Sequence, residues 1–206
     1  MSPTSVDRDS HPHMQGNIGN KGLTKPRKRR NNRAHFGNPG KDKLILAVDD
    51  EEDVLEIIDE ELSDAANITL HAATTFRQAQ QSLVSYTYDL VILDIMGVGG
   101  FYLLELANNA AFPVVVLTAH AFTPDALKKS IELGARAYLP KQDLGSLLPF
   151  LEDVLTLNYR SAWKKALDQL GTLFNKRFGS DWRKSEEEFW EDFDKQLAVD
   201  EAAIIK

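Results

Sequence analysis

The chain has 206 residues, a net charge of -7 and no cysteine. That length allows one ordinary domain plus further segments, and the 43% hydrophobic content suits a globular fold rather than a disordered chain. Disulfides, thiol catalysis and zinc–thiolate sites are excluded, no apolar run nears the roughly 20 residues of a membrane span, and no apolar core follows the N-terminal charges as in a secretory signal, so a cytoplasmic protein is expected.

The charge is unevenly spread. Residues 1–43 hold ten basic and three acidic side chains, which leaves the rest of the chain acidic. Residues 1–42 are rich in Gly, Asn, Pro, Ser, Arg and Lys and nearly free of Leu, Ile and Val. Such a segment buries too little apolar surface to offset its ordering entropy, and reads as a disordered basic arm. Its cluster Lys25-Pro26-Arg27-Lys28-Arg29-Arg30 offers contacts to nucleic-acid phosphates or a membrane surface. A solvated tail that attracts anions weakly is the favoured reading.

Order begins at Lys43. Leu44-Ile45-Leu46-Ala47-Val48 is a short continuous apolar run, as in a strand buried on both faces. Asp49 and Asp50 end it. Val54, Leu55, Ile58 and Leu62 recur at helical spacing, which predicts a helix over Glu52–Asp64. A second strand follows over Ile68–Ala72, and Thr74 or Thr75 caps a helix to about Val84. Leu90-Val91-Ile92-Leu93 is a third strand, ending in Asp94. Phe101–Ala107 is helical. Val114-Val115-Val116-Leu117 is a fourth strand, ending in Thr118. Thr123 and Pro124 supply the cap and first position of a helix that Gly134 stops. Ala137-Tyr138-Leu139 is a fifth strand, followed by Pro140-Lys141.

Five alternations of buried strand and helix imply an α/β fold: a doubly wound, five-stranded parallel sheet between helical layers. Right-handed crossovers bring every strand C-terminus to one edge, where open α/β sheets bind ligands. Asp49, Asp50, Asp94, Thr118 and Lys141 all follow strand ends and gather there. Each alone has an ordinary role: helix cap, turn residue, strand-end hydroxyl, surface cation. Together they are a phosphoryl-transfer set. Clustered carboxylates repel and need a cation, which a hard divalent ion such as Mg²⁺ provides through oxygen ligands. The lysine adds charge for incoming phosphoryl oxygens, the threonine a hydroxyl donor, and an aspartate a nucleophile.

Four segments carry a family resemblance: Leu44-Ile45-Leu46-Ala47-Val48-Asp49-Asp50-Glu51, Asp89-Leu90-Val91-Ile92-Leu93-Asp94-Ile95-Met96, Val116-Leu117-Thr118-Ala119 and Gly134-Ala135-Arg136-Ala137-Tyr138-Leu139-Pro140-Lys141. From about Lys43 to Leu157 the chain resembles a response-regulator receiver domain of two-component signalling, with a flavodoxin-like fold. The resemblance implies that Asp94 accepts a phosphoryl group from a sensor histidine kinase or phosphotransfer protein. It implies Mg²⁺ on Asp50 and Asp94, on Asp49 through water, and on the Met96 backbone carbonyl. It pairs Lys141 with Asp94 or its phosphate, moves Thr118 toward the phosphoryl group, and makes Tyr138 the switch residue that shifts inward with it. That motion would reshape the face formed by the helix after Pro124, the fifth strand and the next helix. The chain would then be a signalling switch acting on a downstream protein, not an enzyme with a separate substrate. Met96 and His120 flank the site and are expected to set the lifetime of the phosphoryl group.

Two departures stand out. The family usually has proline four residues after the phosphoacceptor, whereas here Met96-Gly97-Val98-Gly99-Gly100 is shorter and glycine-rich, which predicts a more flexible loop. The family usually has proline directly after the lysine, often cis; here Pro140 precedes Lys141 and Gln142 follows, where a cis bond would cost about 2.5–4 kcal/mol. A haloacid-dehalogenase-like phosphatase is the enzyme alternative, but it needs its aspartate after the first strand with a second Asp two residues on, and Asp49-Asp50 are adjacent.

The organisation expected is a basic arm over 1–42, a receiver over 43–157 and a helical extension over 158–206. Leu144, Leu148, Leu151, Leu155, Ala162, Ala166, Leu170 and Leu173 form a helical stripe, with Pro149 a kink or a helix start and Gly179 a stop. Ser185 with Glu188 has capping-box form ahead of Phe189, Trp190, Phe193 and Leu197. The favoured arrangement is a helical hairpin; a homodimer mate or another protein are the other partners for the stripe. No DNA-binding output motif is evident, and the acidic end of the extension opposes contact with DNA.

Overall fold

The protein is represented by a computed structural model that describes residues 41–118, 123–156 and 159–198. The basic arm lies outside the described residues up to position 40, and so does His120. No helix among the described residues is long and apolar enough to cross a membrane.

Five parallel strands run β1 (Lys43–Val48), β2 (Ile68–Ala73), β3 (Leu90–Asp94), β4 (Val114–Thr118) and β5 (Ala137–Pro140), in the spatial order β2-β1-β3-β4-β5. β3 and β4 are buried along their whole length, as their uninterrupted apolar runs require. The helices α1 (Glu52–Leu62), α2 (Phe76–Ser85), α3 (Gly100–Asn109), α4 (Pro124–Glu132) and α5 (Leu147–Thr156) alternate with them. Thr75 and Thr123 cap α2 and α4 through bonds from the Gln78 and Ala126 N–H groups. Gly134 ends the α4 segment at φ +86°, a conformation that favours glycine.

Register fixes the site. Val48 pairs with Leu93, so Asp49 and Asp94 emerge side by side from neighbouring strands, which lie about 4.8 Å apart. Thr118 pairs with Pro140, so Thr118 and Lys141 leave the sheet together at the same edge.

The extension differs from the expected stripe in three respects. A 3-10 turn (Lys141–Ser146) precedes α5, and Pro149 is the third residue of α5, where its missing N–H has no intrahelical partner to lose. Pro149 therefore belongs to a helix start, not a kink. A separate helix, α6 (Tyr159–Phe178), follows, and residues 157–158 lie outside the described chain. Ser185 sits inside a 3-10 turn (Lys184–Glu186) ahead of α7 (Glu187–Ala198), and no capping bond from its side chain accompanies that turn. Here the Trp182 indole N–H donates to Asn175 Oδ1, tying the loop to α6. Gly179, at φ +83°, does end α6.

The partner of the stripe is also broader than the alternatives weighed from sequence. Ala162, Ala166 and Leu170 are buried with Trp163, Leu167 and Phe174, in one apolar cluster with Tyr138 of β5 and Leu127 and Ile131 of α4. The Trp163 indole N–H donates to the Ala135 carbonyl at 2.9 Å. α6 thus lies along β5 as well as against α7, where the Trp163 and Phe193 rings meet edge to face at 5.7 Å.

Candidate functional site

Asp49 is fully buried at the end of β1, and its N–H donates to the Ala73 carbonyl of the next strand. Asp94 is 5% exposed and Thr118 4% exposed, whereas Asp50 is open to solvent. One oxygen each from Asp49, Asp50 and Asp94 lies within 4.8 Å of the others. Lys141 Nζ stands 2.8 Å from Asp49 Oδ2 and 3.2 Å from Asp94 Oδ2. The strand-end residues named from sequence do converge.

Two backbone N–H groups hold the carboxylates. Glu51 N–H donates to Asp49 Oδ1 and Met96 N–H to Asp94 Oδ1, both at 3.0 Å. Lys141 Nζ donates to that same Asp49 Oδ1 at 3.1 Å and to the other oxygen of Asp94, Oδ2. Met96 is otherwise half exposed at the rim. The N-cap of α1 is Glu51, not Asp49 or Asp50, and its side chain makes no capping bond. It turns instead to Lys141, at 2.7 Å. Sequence reasoning missed this partner, because a glutamate at a helix start is already explained by the helix dipole.

Charge sets the chemistry. Burial raises the Asp49 pKa, with the Lys141 and Glu51 hydrogen bonds opposing and the Asp94 charge adding to the rise. Burial alone would lower the Lys141 pKa, but hydrogen bonds to Asp49 and Glu51 and the charges of Asp49 and Asp94 outweigh it, so the ammonium is held above the ordinary lysine value. One ammonium faces Asp49, Asp94 and Glu51, with Asp50 close by. The excess of carboxylates is the donor set a hard divalent cation takes.

The glycine-rich loop has a steric reason. A Cβ on Gly97 would lie 2.6 Å from Asp50 Oδ1 and 3.0 Å from Asp94 Oδ2. A Cβ on Gly100 would meet the Ile95 backbone at 2.5 Å, and Gly99 sits at φ +75° as the N-cap of α3. Gly97 lets the loop pass close beside the carboxylates, and Gly100 lets it pass close to the end of β3, which the expectation of a merely flexible loop did not include.

Tyr138 is buried against α6, and desolvation pushes its phenol far above the usual value, with the Thr118 hydroxyl opposing. Beside it opens a cavity of ≈ 360 Å³ whose lining includes Thr118, Tyr138 and Lys141 on the sheet side and Phe174, Arg177 and Phe178 on α6. Sequence reasoning missed the α6 residues too. Nothing in the periodicity of α6 says that its C-terminal turn reaches the carboxyl edge of the sheet.

Known proteins agree with this architecture. The sequence model of the response regulator receiver domain matches residues 45–150. The response regulator ArlR of Staphylococcus saprophyticus is 27% identical over 64% of this chain and 60% of its own. A transcriptional regulatory protein of Bacillus subtilis, YrkP, is 33% identical over 54% of this chain and 45% of its own. The chain therefore spans about half to three-fifths of the length of these relatives. A solved two-component response regulator from Clostridium difficile shares the fold, with a TM-score of 0.51 and 22% identity over 56% of this chain and 97% of its own. A parallel sheet in the order β2-β1-β3-β4-β5, three aspartates at adjoining strand ends, and a family match over half the sequence lead to one conclusion: the chain belongs to the response-regulator receiver family of two-component signalling.

Proposed function

We propose that this chain is a phosphorylation-controlled switch whose phosphoacceptor is Asp94. The observation that carries this reading is Lys141 Nζ, 2.8 Å from Asp49 and 3.2 Å from Asp94, beside three carboxylates clustered within 4.8 Å. An Asp94 carboxylate oxygen attacks the phosphorus of the donor, a phosphohistidine of a sensor kinase or phosphotransfer protein. The O–P bond forms as the donor's N–P bond breaks, and the imidazole leaves with that electron pair. Asp49, Asp50, Asp94 and the Met96 carbonyl are the oxygens for Mg²⁺, which supplies positive charge for the phosphoryl oxygens when bound. Lys141 releases Glu51 and pairs with the phosphoryl group, an exchange of one surface carboxylate for a stronger anion. Thr118 donates to a phosphoryl oxygen and Tyr138 follows as the switch.

The domain plan belongs to the same reading: a basic arm over 1–42, the receiver over 43–157 and a helical extension over 158–206 that acts on a downstream protein. The test is incubation with acetyl phosphate and Mg²⁺, read by intact mass beside Asp94→Asn. The expected result is a metal-dependent gain of one phosphoryl group in the wild type only. A gain of equal size in the variant would overturn the assignment of Asp94.

A further inference from the structure

The covered face of β5 is the most consequential feature that the receiver reading leaves unused. α6 runs the same way as β5. Its Trp163 is bonded to Ala135 just ahead of the strand, and its Phe174 and Arg177 reach the cavity beside Lys141 just past the strand's end. The lengths match: eleven helical steps from Trp163 to Phe174 and five extended steps from Ala135, two residues ahead of β5, to Pro140 each span about 16 Å. The pairing is anchored by Trp163, Ala166, Leu167, Leu170 and Phe174 in the cluster that holds Tyr138. α7 closes the assembly from the other side. Glu186 pairs with Lys128 of α4, and the Lys128 ammonium lies 5.2 Å over the Phe189 ring.

At the site end, α6 contributes both an apolar and a cationic group. Phe174 is buried, and Arg177 is exposed with its guanidinium 5.3 Å over Phe178, on the cavity that Thr118 and Lys141 also line. Asp94 and Arg177 bear on the Tyr138 hydroxyl with opposite sign. A phosphoryl group on Asp94 replaces one negative charge with about two. Lys141 takes one side of that group in exchange for Glu51. Arg177, on the extension, is the other cation among the described residues lining the cavity, and the added negative charge acts on it too.

We propose that α6 is a built-in reader of the phosphoacceptor site: the phosphoryl group draws the Arg177 turn down onto the Thr118–Tyr138–Lys141 cavity, and the signal leaves through the α6–α7 surface. This rests on the phosphorylation of Asp94 proposed above. The occupant of the β5 face is this chain's own helix, so a second protein reads the state of α6 and α7 and does not dock on β5. By linkage, a docked α6 in turn favours the phosphorylated form of Asp94, and the Arg177 turn over the cavity shields the acyl phosphate from water and so lengthens its life.

The chain carries its own probe, since all three tryptophans, Trp163, Trp182 and Trp190, lie in the extension. The full chain is treated with acetyl phosphate and Mg²⁺, and separately with beryllofluoride and Mg²⁺. Intact mass, tryptophan emission and amide exchange over residues 159–178 are read together. Expected are a change in emission and a several-fold slowing of exchange in the wild type. In Arg177→Gln, Asp94 should gain phosphoryl mass but lose it several-fold faster, with the emission response gone; Arg177→Lys should recover part of it. Phosphoryl mass on Asp94 with no emission or exchange response overturns the inference and leaves the switch standing. An undiminished response in Arg177→Gln, or faster exchange in α6, overturns it too. No mass gain and no beryllofluoride response sink both readings together.

Discussion

The two faces of the sheet are built from different side chains. Under α1 and α5 the packing is aliphatic, with Ile45, Ile92, Val115, Leu117 and Leu139 against Ile58, Leu147 and Leu151, and Phe150 the one aromatic ring among its buried members. On the other face the layer of α2, α3 and α4 is continued by α6, and the buried set includes Tyr88, Tyr138, Trp163, Phe174, Trp190 and Phe193. The first face follows from alternating local patterns and leaves little to choose. The second is shared by two parts of the chain far apart in sequence, and large rings join them. Aromatic side chains bury more area each and meet at specific angles, so this face fixes one docking geometry where aliphatic packing would tolerate several.

The largest effect expected on this contrast is Trp163→Ala. Removing a fully buried ring and its bond to Ala135 should cost about 3–5 kcal/mol in urea unfolding. If α6 is integral to the second face, far-UV dichroism and the near-UV tyrosine signal should melt in one step. A loss confined to helix, with the sheet melting where it did before, would divide the molecule into independent parts. Next comes Gly97→Ala. The new methyl would press on Asp50 and Asp94, and Mg²⁺ affinity measured by titration calorimetry should drop roughly tenfold, in line with other close supports of metal ligands. An unchanged affinity would mean that the carboxylates move aside at no cost.

The smallest effect concerns His71, whose Nδ1 is 2.8 Å from the Tyr88 hydroxyl between the rings of Tyr86 and Tyr88. Burial depresses its pKa below 6.5. A depressed folded pKa makes stability fully present above the unfolded value and lost as pH falls through 6.5 toward the folded one. His71→Asn should flatten that slope between about pH 7 and pH 5, read as the urea midpoint at each pH. A slope unaffected by the substitution would assign it to other groups. Tyr88, pushed to about 12 by burial, stays neutral throughout and adds nothing to this window.

What the sequence made legible follows the same division. Strand ends are marked by abrupt polar residues after apolar runs, so Asp49, Asp94, Thr118 and Lys141 could be placed on one edge from topology alone, and the register bears this out. The expected bounds of α1 to α4 lie within two residues of the observed ends, and for α2 and α4 this is because Thr75, Thr123, Pro124 and Gly134 act through local geometry. Glu51 and Arg177 escaped notice because their partners are set by tertiary placement, and a charge has no period to betray its neighbour. The extension shows the limit most sharply. Spacing revealed an apolar stripe but not what it faces, and the reading favoured α7 where β5 shares the role. Ser185 does not open α7, because it lies inside the 3-10 turn Lys184–Glu186 that runs directly into the helix at Glu187.

The bond from Trp163 to Ala135 sits near the N-terminal end of α6, while Arg177 lies fourteen residues farther along an unbroken helix. That is an arm of about 21 Å turning on a fixed point. A tilt of only about 10° about that pivot would carry the far end by nearly 4 Å, on the order of a side-chain contact. Gly171, with open space around its Cα, is the weak point along the arm. A substitution there, Gly171→Ala, would stiffen the arm without touching pivot or tip, and would set how faithfully motion at one end arrives at the other.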